Sequence, residues 1–348
     1  MDTFFLGFRD PLFSVIVFFA LIFMITFISY LWGRYKRKED YKHLNRFLQQ
    51  FHTPPTEDTI KNSIQNNVLS PQLWLLLASA YQKNAEYEKC IEIYNELLQK
   101  EKYANQKEIM FLLGKTYFKA GFLERSKQIF LEILKKTPRT PQALHYLLLI
   151  YEFMREYKEA LGVLEPLDEL GEDVSLEKYY LELLIILQDF TLDSEVKNEK
   201  IIQLYKEHNQ LTHMVFEYLF RVDAAFAWKH LNIENVENIS DILWNLERKD
   251  LNLDIISKSI YLQELYSAKG YIEDAKKSDS FELDILIKLQ NKANATLSFE
   301  YGCVTCKGTF PFAFNRCSQC HSIDSMTIEW SLSRDYSRDF SEENNSFQ

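Results

Sequence analysis

The sequence predicts an all-α protein in which helical hairpins stack in a line, with an apolar helix before them and a small metal-binding unit after them. Three observations carry that prediction. A hairpin pattern recurs three times between Pro71 and Leu167. Residues Pro11 to Trp32 run for 22 residues without a charge. Four of the five cysteines fall within 18 residues near the C-terminus, as two Cys-x-x-Cys pairs. Composition agrees, because 9 Gly and 8 Pro in 348 residues, against 26 Phe and 20 Tyr, suit long helices joined by short turns.

At 1.5 Å per residue, 11–32 makes about 33 Å of helix, enough to cross the hydrocarbon core of a membrane. A cleaved signal peptide would begin with a basic region and end at a small-x-small site. Here Asp2, Arg9 and Asp10 precede the run, and Tyr30, Leu31 and Trp32 offer no cleavage site. Residues 1–33 therefore read as a single-pass anchor. Arg34, Lys36, Arg37, Lys38, Lys42 and Arg46 follow it, against Arg9 alone before it. The positive-inside rule then places everything after the anchor in the cytoplasm. Residues 34–70 form a juxtamembrane helix, with Leu44, Phe47, Leu48 and Phe51 as its apolar stripe, and a lead-in broken by Pro54 and Pro55. That lead-in is expected to be partly helical around Asp58 to Ile64.

Residues 71–167 hold the repeats. Copy one reads Trp74, Leu77, Ala78, Tyr81, Tyr87, Cys90, Tyr94, Leu97. Copy two reads Met110, Leu113, Gly114, Tyr117, Leu123, Ser126, Phe130, Ile133, and copy three Leu144, Leu147, Leu148, Tyr151, Tyr157, Ala160, Leu164, Leu167. Large residues at i, i+3 and i+7 make one helix face apolar, and small residues such as Ala78, Gly114, Cys90, Ser126 and Ala160 let the second helix approach. Leu148 is a bulky exception, so the third hairpin is expected to be splayed. The spacing from Ala78 to Gly114 to Leu148 is 36 and then 34 residues, close to the 34-residue period of a tetratricopeptide repeat. One hairpin buries only one face, so copies must stack into a solenoid with a concave binding surface. In this register the first helices of copies two and three line that surface with Phe111, Lys115, Phe118, Lys119, His145, Leu149 and Phe153. The apolar ones are not needed inside a hairpin, so either a partner or a neighbouring repeat covers them.

Residues 168–298 read as degenerate repeats. Leu176 to Leu187 is one helix, Lys200 to His208 a shorter one and Met214 to Leu231 a longer one. A half-copy follows at Leu262, Tyr266, Gly270, Ile272 and Ala275, and 291–298 (NKANATLS) serves as a linker. Residues 299–332 contain Cys303, Cys306, Cys317 and Cys320. Each tight Cys-x-x-Cys turn points two thiolates at one ion, and a soft four-sulfur set suits zinc or iron. Disulfides are disfavoured in the cytoplasm, Cys90 sits at a small core position of the repeat, and His321 is not needed as a ligand. Aromatics at Tyr301, Phe310, Phe312, Phe314 and Trp330 supply a small core for short strands. Only Lys307 and Arg316 are basic nearby, so the unit lacks the footprint of a nucleic-acid binder and docks on the repeats or on a protein. Residues 333–348 read as a polar, disordered tail.

No chemistry of an enzyme is visible. The chain has a net charge of −10, no phosphate-cradling glycine loop, no Gly-x-Ser-x-Gly elbow and no His-Glu-x-x-His pair,. Anchor, repeats and double knuckle, in that order, resemble the bacterial lipopolysaccharide assembly protein B family. The runs LLGKTYFKAGFLERSKQIFLEIL (112–134) and PQALHYLLLIYEFMREYKEAL (141–161) resemble its central repeats, and YGCVTCKGTFPFAFNRCSQCHS (301–322) its rubredoxin-type tail. Two departures stand out: the family usually has glycine directly after the second cysteine of each knuckle, where this chain has Lys307 and His321, and the segment between the anchor and the first clear copy lacks an obvious repeat, which implies an array one unit shorter. The resemblance implies a non-enzymatic adaptor at the bacterial inner membrane. Such an adaptor works with the membrane-bound AAA+ protease to control degradation of the lipid A deacetylase. A scaffold assembling envelope-synthesis enzymes, as a monomer or a homo-oligomer, is the alternative.

Overall fold

The computed structural model describes residue 18, residues 21–24, residue 27, and residues 57–66, 69–100, 103–289 and 294–334. Contacts divide the chain into two units, Met1–Met154 and Arg155–Gln348.

In the first unit six helices follow one another among the described residues: α1 (Glu57–Gln65), α2 (Pro71–Lys83), α3 (Tyr87–Lys100), α4 (Tyr103–Lys119), α5 (Leu123–Lys136) and α6 (Pro141–Phe153). From α2 onward each helix packs on the next, and α1 packs on α3. Proline opens α2 and α6, where its missing N–H costs no helical hydrogen bond,. The turns after α2 and α4 are the same turn. Ala85 and Gly121 lie in the left-handed region, at φ 60° and 81°. The next amide donates back to Tyr81 O in one case and to Tyr117 O in the other, both at 2.9 Å,. Arg155 repeats the conformation at φ 61°, so the left-handed residue recurs at the 36- and 34-residue spacing of the apolar pattern.

Two cores fill this unit. Ile60, Ile64, Trp74, Leu77, Cys90, Ile93, Tyr94, Leu97 and Leu113 form one, and Met110, Phe130, Ile133, Ala143 and Ile150 the other. Burying each large side chain contributes about 1.5–3 kcal/mol. Helix α1 supplies Ile60 and Ile64 and so covers the open face of the first hairpin. This is the helical lead-in expected around Asp58 to Ile64. At the small-residue positions, Ser126 Oγ donates to Gly114 O at 2.8 Å, and Cys90 is fully buried.

The second unit begins with α7 (Tyr157–Glu169), α8 (Ser175–Gln188), α9 (Ser194–His208), α10 (Thr212–Val222) and α11 (Ala224–His230). A 3-10 segment (Ile233–Ile239) leads to α12 (Ser240–Asn245), and a second (Arg248–Asp250) to α13 (Leu253–Ile256), α14 (Ile260–Ala268) and α15 (Phe281–Leu289). Several expectations are corrected here. Helix α9 starts at Ser194, not Lys200, with Asp193 in extended backbone before it. The single helix expected over Met214–Leu231 is two, because Asp223 leaves helical geometry at φ −150° and its carboxylate accepts from the Phe226 amide at 2.9 Å. The half-copy forms only its first helix. Leu262 and Tyr266 are buried on α14 and Gly270 makes the left-handed turn, but residues 271–280 are not helical. There the side chains of Ser267 and Ser278 bind the Ala275 amide and Glu264. Such local bonds compete with helix formation.

A three-stranded antiparallel sheet closes the unit, in the order β2 (Thr309–Phe310), β1 (Ala295–Cys303), β3 (Met326–Arg334). Its long pair runs in register from Ala295↔Arg334 to Cys303↔Met326. The second half of the expected linker is therefore strand. The alternation Thr296, Leu297, Ser298, Phe299 has the period of two that a half-buried strand needs, and Leu297 is buried.

Among the described residues no helix is long and apolar enough to cross a membrane. Most of the anchor expected over 11–32 lies outside those residues. The described ones, Phe18, Leu21, Ile22, Phe23, Met24 and Phe27, are helical and exposed. The expected juxtamembrane helix to about Gln50, residues 291–293 of the linker, and the tail from Asp335 also lie outside them.

Candidate metal centre and partner face

The metal centre is built from two knuckles with the same backbone bonding. In the first, Cys303 N donates to Gly308 O and Lys307 N to Cys303 O, each at 2.9 Å. In the second, Cys317 N donates to Ser322 O and His321 N to Cys317 O, again at 2.9 Å. The position after each second cysteine must be left-handed. Lys307 and His321 comply at φ 60° and 63°, at a cost of about 1–2 kcal/mol each. The turns thus survive without the glycines that the resemblance led one to expect. Gly308 comes one place later; a Cβ there would lie 2.5 Å from Gln319 Oε1, the end of a flexible side chain that can move aside, and 3.4 Å from Cys306 Sγ.

These turns bring the four sulfurs of Cys303, Cys306, Cys317 and Cys320 within 4.8 Å of one another. Cys303 Sγ lies 3.6 Å from Cys320 Sγ and Cys306 Sγ 3.7 Å from Cys317 Sγ. Disulfide bonding needs about 2.05 Å. A tetrahedron of sulfurs about 2.3 Å from one ion has edges of about 3.8 Å, so the donor set fits one tetrahedral metal ion.

The surroundings favour thiolates at two corners. Burial works against ionising Cys303, but the Ser325 and Ser322 hydroxyls and the amides of Cys306 and Thr305 outweigh it and hold that thiol at about 5. Hydrogen bonds from the Ser322 hydroxyl and amide lower Cys320 as well. At Cys306 the Gly308 amide pulls down, while burial and the neighbouring thiols push the group up to about 12. Without an ion, the cluster shares its negative charge unequally. A bound cation removes that competition, since metal ligation deprotonates thiols outright. Cys90, the fifth cysteine, is buried on α3 with its sulfur 3.6 Å from the Thr116 hydroxyl of α4, and takes no part.

Within the second unit the sheet is seated on the helices. Leu297 and Ile323 join the core of Leu219, Leu243 and Leu265, and Trp330 stacks on Tyr261 with centroids 6.3 Å apart. The guanidinium of Arg316 lies 5.1 Å from the centre of the Tyr180 ring. Asp241 on α12 is the polar joint. It accepts from Tyr301 Oη at 2.9 Å and contacts His213 Nε2 at 2.9 and 3.1 Å, with 7% of its side chain exposed. No motif announces this trio, whose members come from α10, α12 and β1.

The first unit carries the predicted partner face. Phe111 packs edge-on against Phe130 at 5.7 Å and Tyr146 at 5.6 Å. Phe118 does the same against Tyr146 at 5.5 Å and Phe153 at 5.6 Å. The rings therefore form one row across α4 and α6, ending at Phe153, which is 55% exposed. Lys115 is half-buried and Lys119 and His145 are exposed along the same helices. Leu149 is the exception and leaves the candidate set. It is only 6% exposed, because α6 buries Leu147, Leu148, Leu149 and Ile150 in succession.

Comparison with known proteins adds the following. No family model matches the chain. Over 149 residues it is 25% identical to the Lipopolysaccharide assembly protein B of Escherichia coli strain K12, covering 41% of this chain and 38% of that one. Over 109 residues it is 26% identical to the TPR repeat-containing protein YpiA of Bacillus subtilis strain 168, covering 31% and 25%. The match thus spans about two fifths of the length of the first relatives. Two solved structures are more distant. A tetratricopeptide repeat protein from Parabacteroides merdae has TM-score 0.39 at 16% identity, over 73% of this chain and 98% of that one. The MamA RS-1 ArsTM double mutant has TM-score 0.31 at 17% identity, over 57% and 96%. Sequence likeness and helical hairpins together support a protein of the tetratricopeptide-repeat class, whose chain also carries a four-cysteine cluster. Such proteins generally act by holding other proteins.

Proposed function

We propose that this chain is a membrane-anchored adaptor of lipopolysaccharide biosynthesis. In this reading its repeats hold a client protein for the membrane-bound AAA+ protease, and the client is the lipid A deacetylase. The observation that carries the adaptor role is the aromatic row Phe111, Phe118, Phe153 on α4 and α6. Large rings with an exposed end on a repeat face are the anchors that protein partners use. The likeness to Lipopolysaccharide assembly protein B supplies the pathway. Cys303, Cys306, Cys317 and Cys320 hold one zinc or iron ion, whose contribution is a closed, structural cross-link of the two knuckles. Anchorage in the bacterial inner membrane, with the repeats on the cytoplasmic side, rests on the uncharged run 11–32 and the cations that follow it.

The test follows the lifetime of the lipid A deacetylase after protein synthesis is blocked. Deleting this protein should change that lifetime, and Phe118→Ala and Phe153→Ala should reproduce part of the change with the fold intact. Unchanged turnover in the deletion strain rejects the adaptor role and leaves a scaffold. An effect of deletion without an effect of the two variants moves the client to another surface.

A further inference from the structure

Two serine hydroxyls lie against the sulfurs of the metal centre, and they load it on one edge. The knuckles correspond position by position, Cys303 to Cys317 and Cys306 to Cys320. After the left-handed residue the first has Gly308 and the second Ser322. Their amides play the same part, donating to Cys306 and to Cys320. Ser322 adds a hydroxyl, 3.0 Å from Cys320 Sγ and 3.6 Å from Cys303 Sγ. Three residues on, where the first knuckle has Pro311, the hydroxyl of Ser325 lies 3.4 Å from Cys303 Sγ and 2.8 Å from Ser322 Oγ. The backbone holds both serines in place. Ser322 O accepts from Cys317 N at 2.9 Å, and Ser325 O from Val304 N at 2.8 Å, so each is tied to one knuckle. Asp324 between them is left-handed at φ 50°, and Ile323 enters the core while both hydroxyls meet sulfur. On the opposite edge Cys306 meets the oxygen of the exposed Gln319 amide at 3.6 Å.

We propose that Ser322 and Ser325 are positioning residues that set the centre for a divalent ion, zinc or ferrous iron, against ferric iron. The inference deepens the four-thiol metal reading and rests on it. A ligated sulfur is a thiolate and has no proton to give. Both hydroxyls must therefore donate, Ser322 to Cys320 and Ser325 to Cys303. Four thiolates around a divalent ion carry one more unit of negative charge than the same four around a ferric ion. Donors aimed at the sulfurs stabilise the more negative state more, and hydrogen bonds to sulfur are among the groups that set the potential of such centres. Ser325 is buried, so little water competes for its bond and the effect is larger than at an exposed site.

The full chain in detergent is loaded with iron, and its potential is read from the visible absorption of the ferric form during reductive titration. A second sample is loaded with zinc and its affinity read by competition with a chelator. S322A/S325A should lose about tenfold in its preference for ferrous over ferric iron, a fall of about 59 mV, and about tenfold in zinc affinity. Ser322→Ala alone should move both values in the same direction, and Ser322→Thr, which keeps the hydroxyl, should hold them near wild type. A merely structural role weakens both oxidation states alike and leaves the potential in place. If truncating the buried Ser325 unfolds the knuckles, the comparison of Ser322→Ala with Ser322→Thr still decides, because Ser322 is half-buried and its carbonyl bond remains. If the chain accepts zinc alone, the same comparison of zinc affinities decides. An unchanged or raised potential in the alanine variants overturns the inference, as does Ser322→Thr behaving like Ser322→Ala. The two readings fail separately. Metal uptake that the alanine variants leave unaltered keeps the four-thiol centre and removes the role of the serines, whereas a native chain that takes up neither metal removes both.

Discussion

A Cβ added at Gly114 would lie 2.9 Å from Phe130 Cζ and 3.1 Å from Ile129 Cγ2, while at Gly162, on α7, it would meet nothing within 4 Å. The two glycines therefore respond oppositely to one change. Alanine gains roughly 0.5–1 kcal/mol over glycine within a helix, and overpacking a filled site costs about 1–3 kcal/mol. Gly162→Ala should raise the urea midpoint and Gly114→Ala lower it. A rise in both would mean that α4 and α5 have slack where they meet. Asp241 is the other residue whose surroundings decide its behaviour. Burial raises its pKa, but hydrogen bonds and charge from His213 and the Tyr301 hydroxyl outweigh it, so the carboxyl lies below its ordinary value. A depressed carboxyl stabilises the fold above its unfolded pKa of about 3.9 and loses that contribution as pH falls toward its folded value. Asp241→Asn should cost about 1–3 kcal/mol at pH 7 and lose less stability than wild type between pH 4 and 2. Parallel acid unfolding curves for the two proteins would show that another carboxylate sets the acid limit.

Among the elements, the knuckles and the sheet depend on each other. Strands β1 and β3 are nine residues each and β2 only two, a sheet with little apolar interior of its own. Units this small are usually completed by metal. The purified chain should contain about one equivalent of zinc or iron. Cys317→Ser should abolish that content and unfold the segment around the knuckles, read as protease sensitivity near residues 304–325. Cys90→Ser should leave metal content unchanged, because Cys90 fills a repeat core. Full metal retention in Cys317→Ser would exclude the four-thiol centre. The helical elements show the same dependence on local chemistry. Ala85, Gly121 and Arg155 follow α2, α4 and α6 in one conformation, and Asp223, Ser267 and Ser278 stop helices that apolar periodicity alone would continue.

For the molecule as a whole, the sharpest expectation concerns the membrane. If the run 11–32 crosses it with Arg34 to Arg46 inside, reporters fused after Gln348 should behave as cytoplasmic ones. Alkaline phosphatase activity from such a fusion would reverse the orientation and expose the cysteines to oxidation. The contact boundary at Met154 and Arg155 falls inside the third sequence copy, at the turn between α6 and α7. The copies that sequence counts as three units of one kind are therefore not the units into which contacts gather.

What the sequence determined by itself is what short-range geometry encodes. The hairpin register, the left-handed turns at the repeat spacing and the four sulfur donors follow from residues within a few positions of one another, where hydrogen-bond patterns leave few choices. The start of β1 at Ala295 is legible in the same way, in the alternation from Thr296 to Phe299, although the polar composition of Asn291 to Ser298 points to a linker. Only the tertiary structure decided what lies across long separations. Asp241 meets His213 from 28 residues away and Tyr301 from 60. Leu149 is buried although its helix register aims it outward, while Phe153, four residues on, is not. Apolar periodicity states that a face must be covered, and only packing states what covers it.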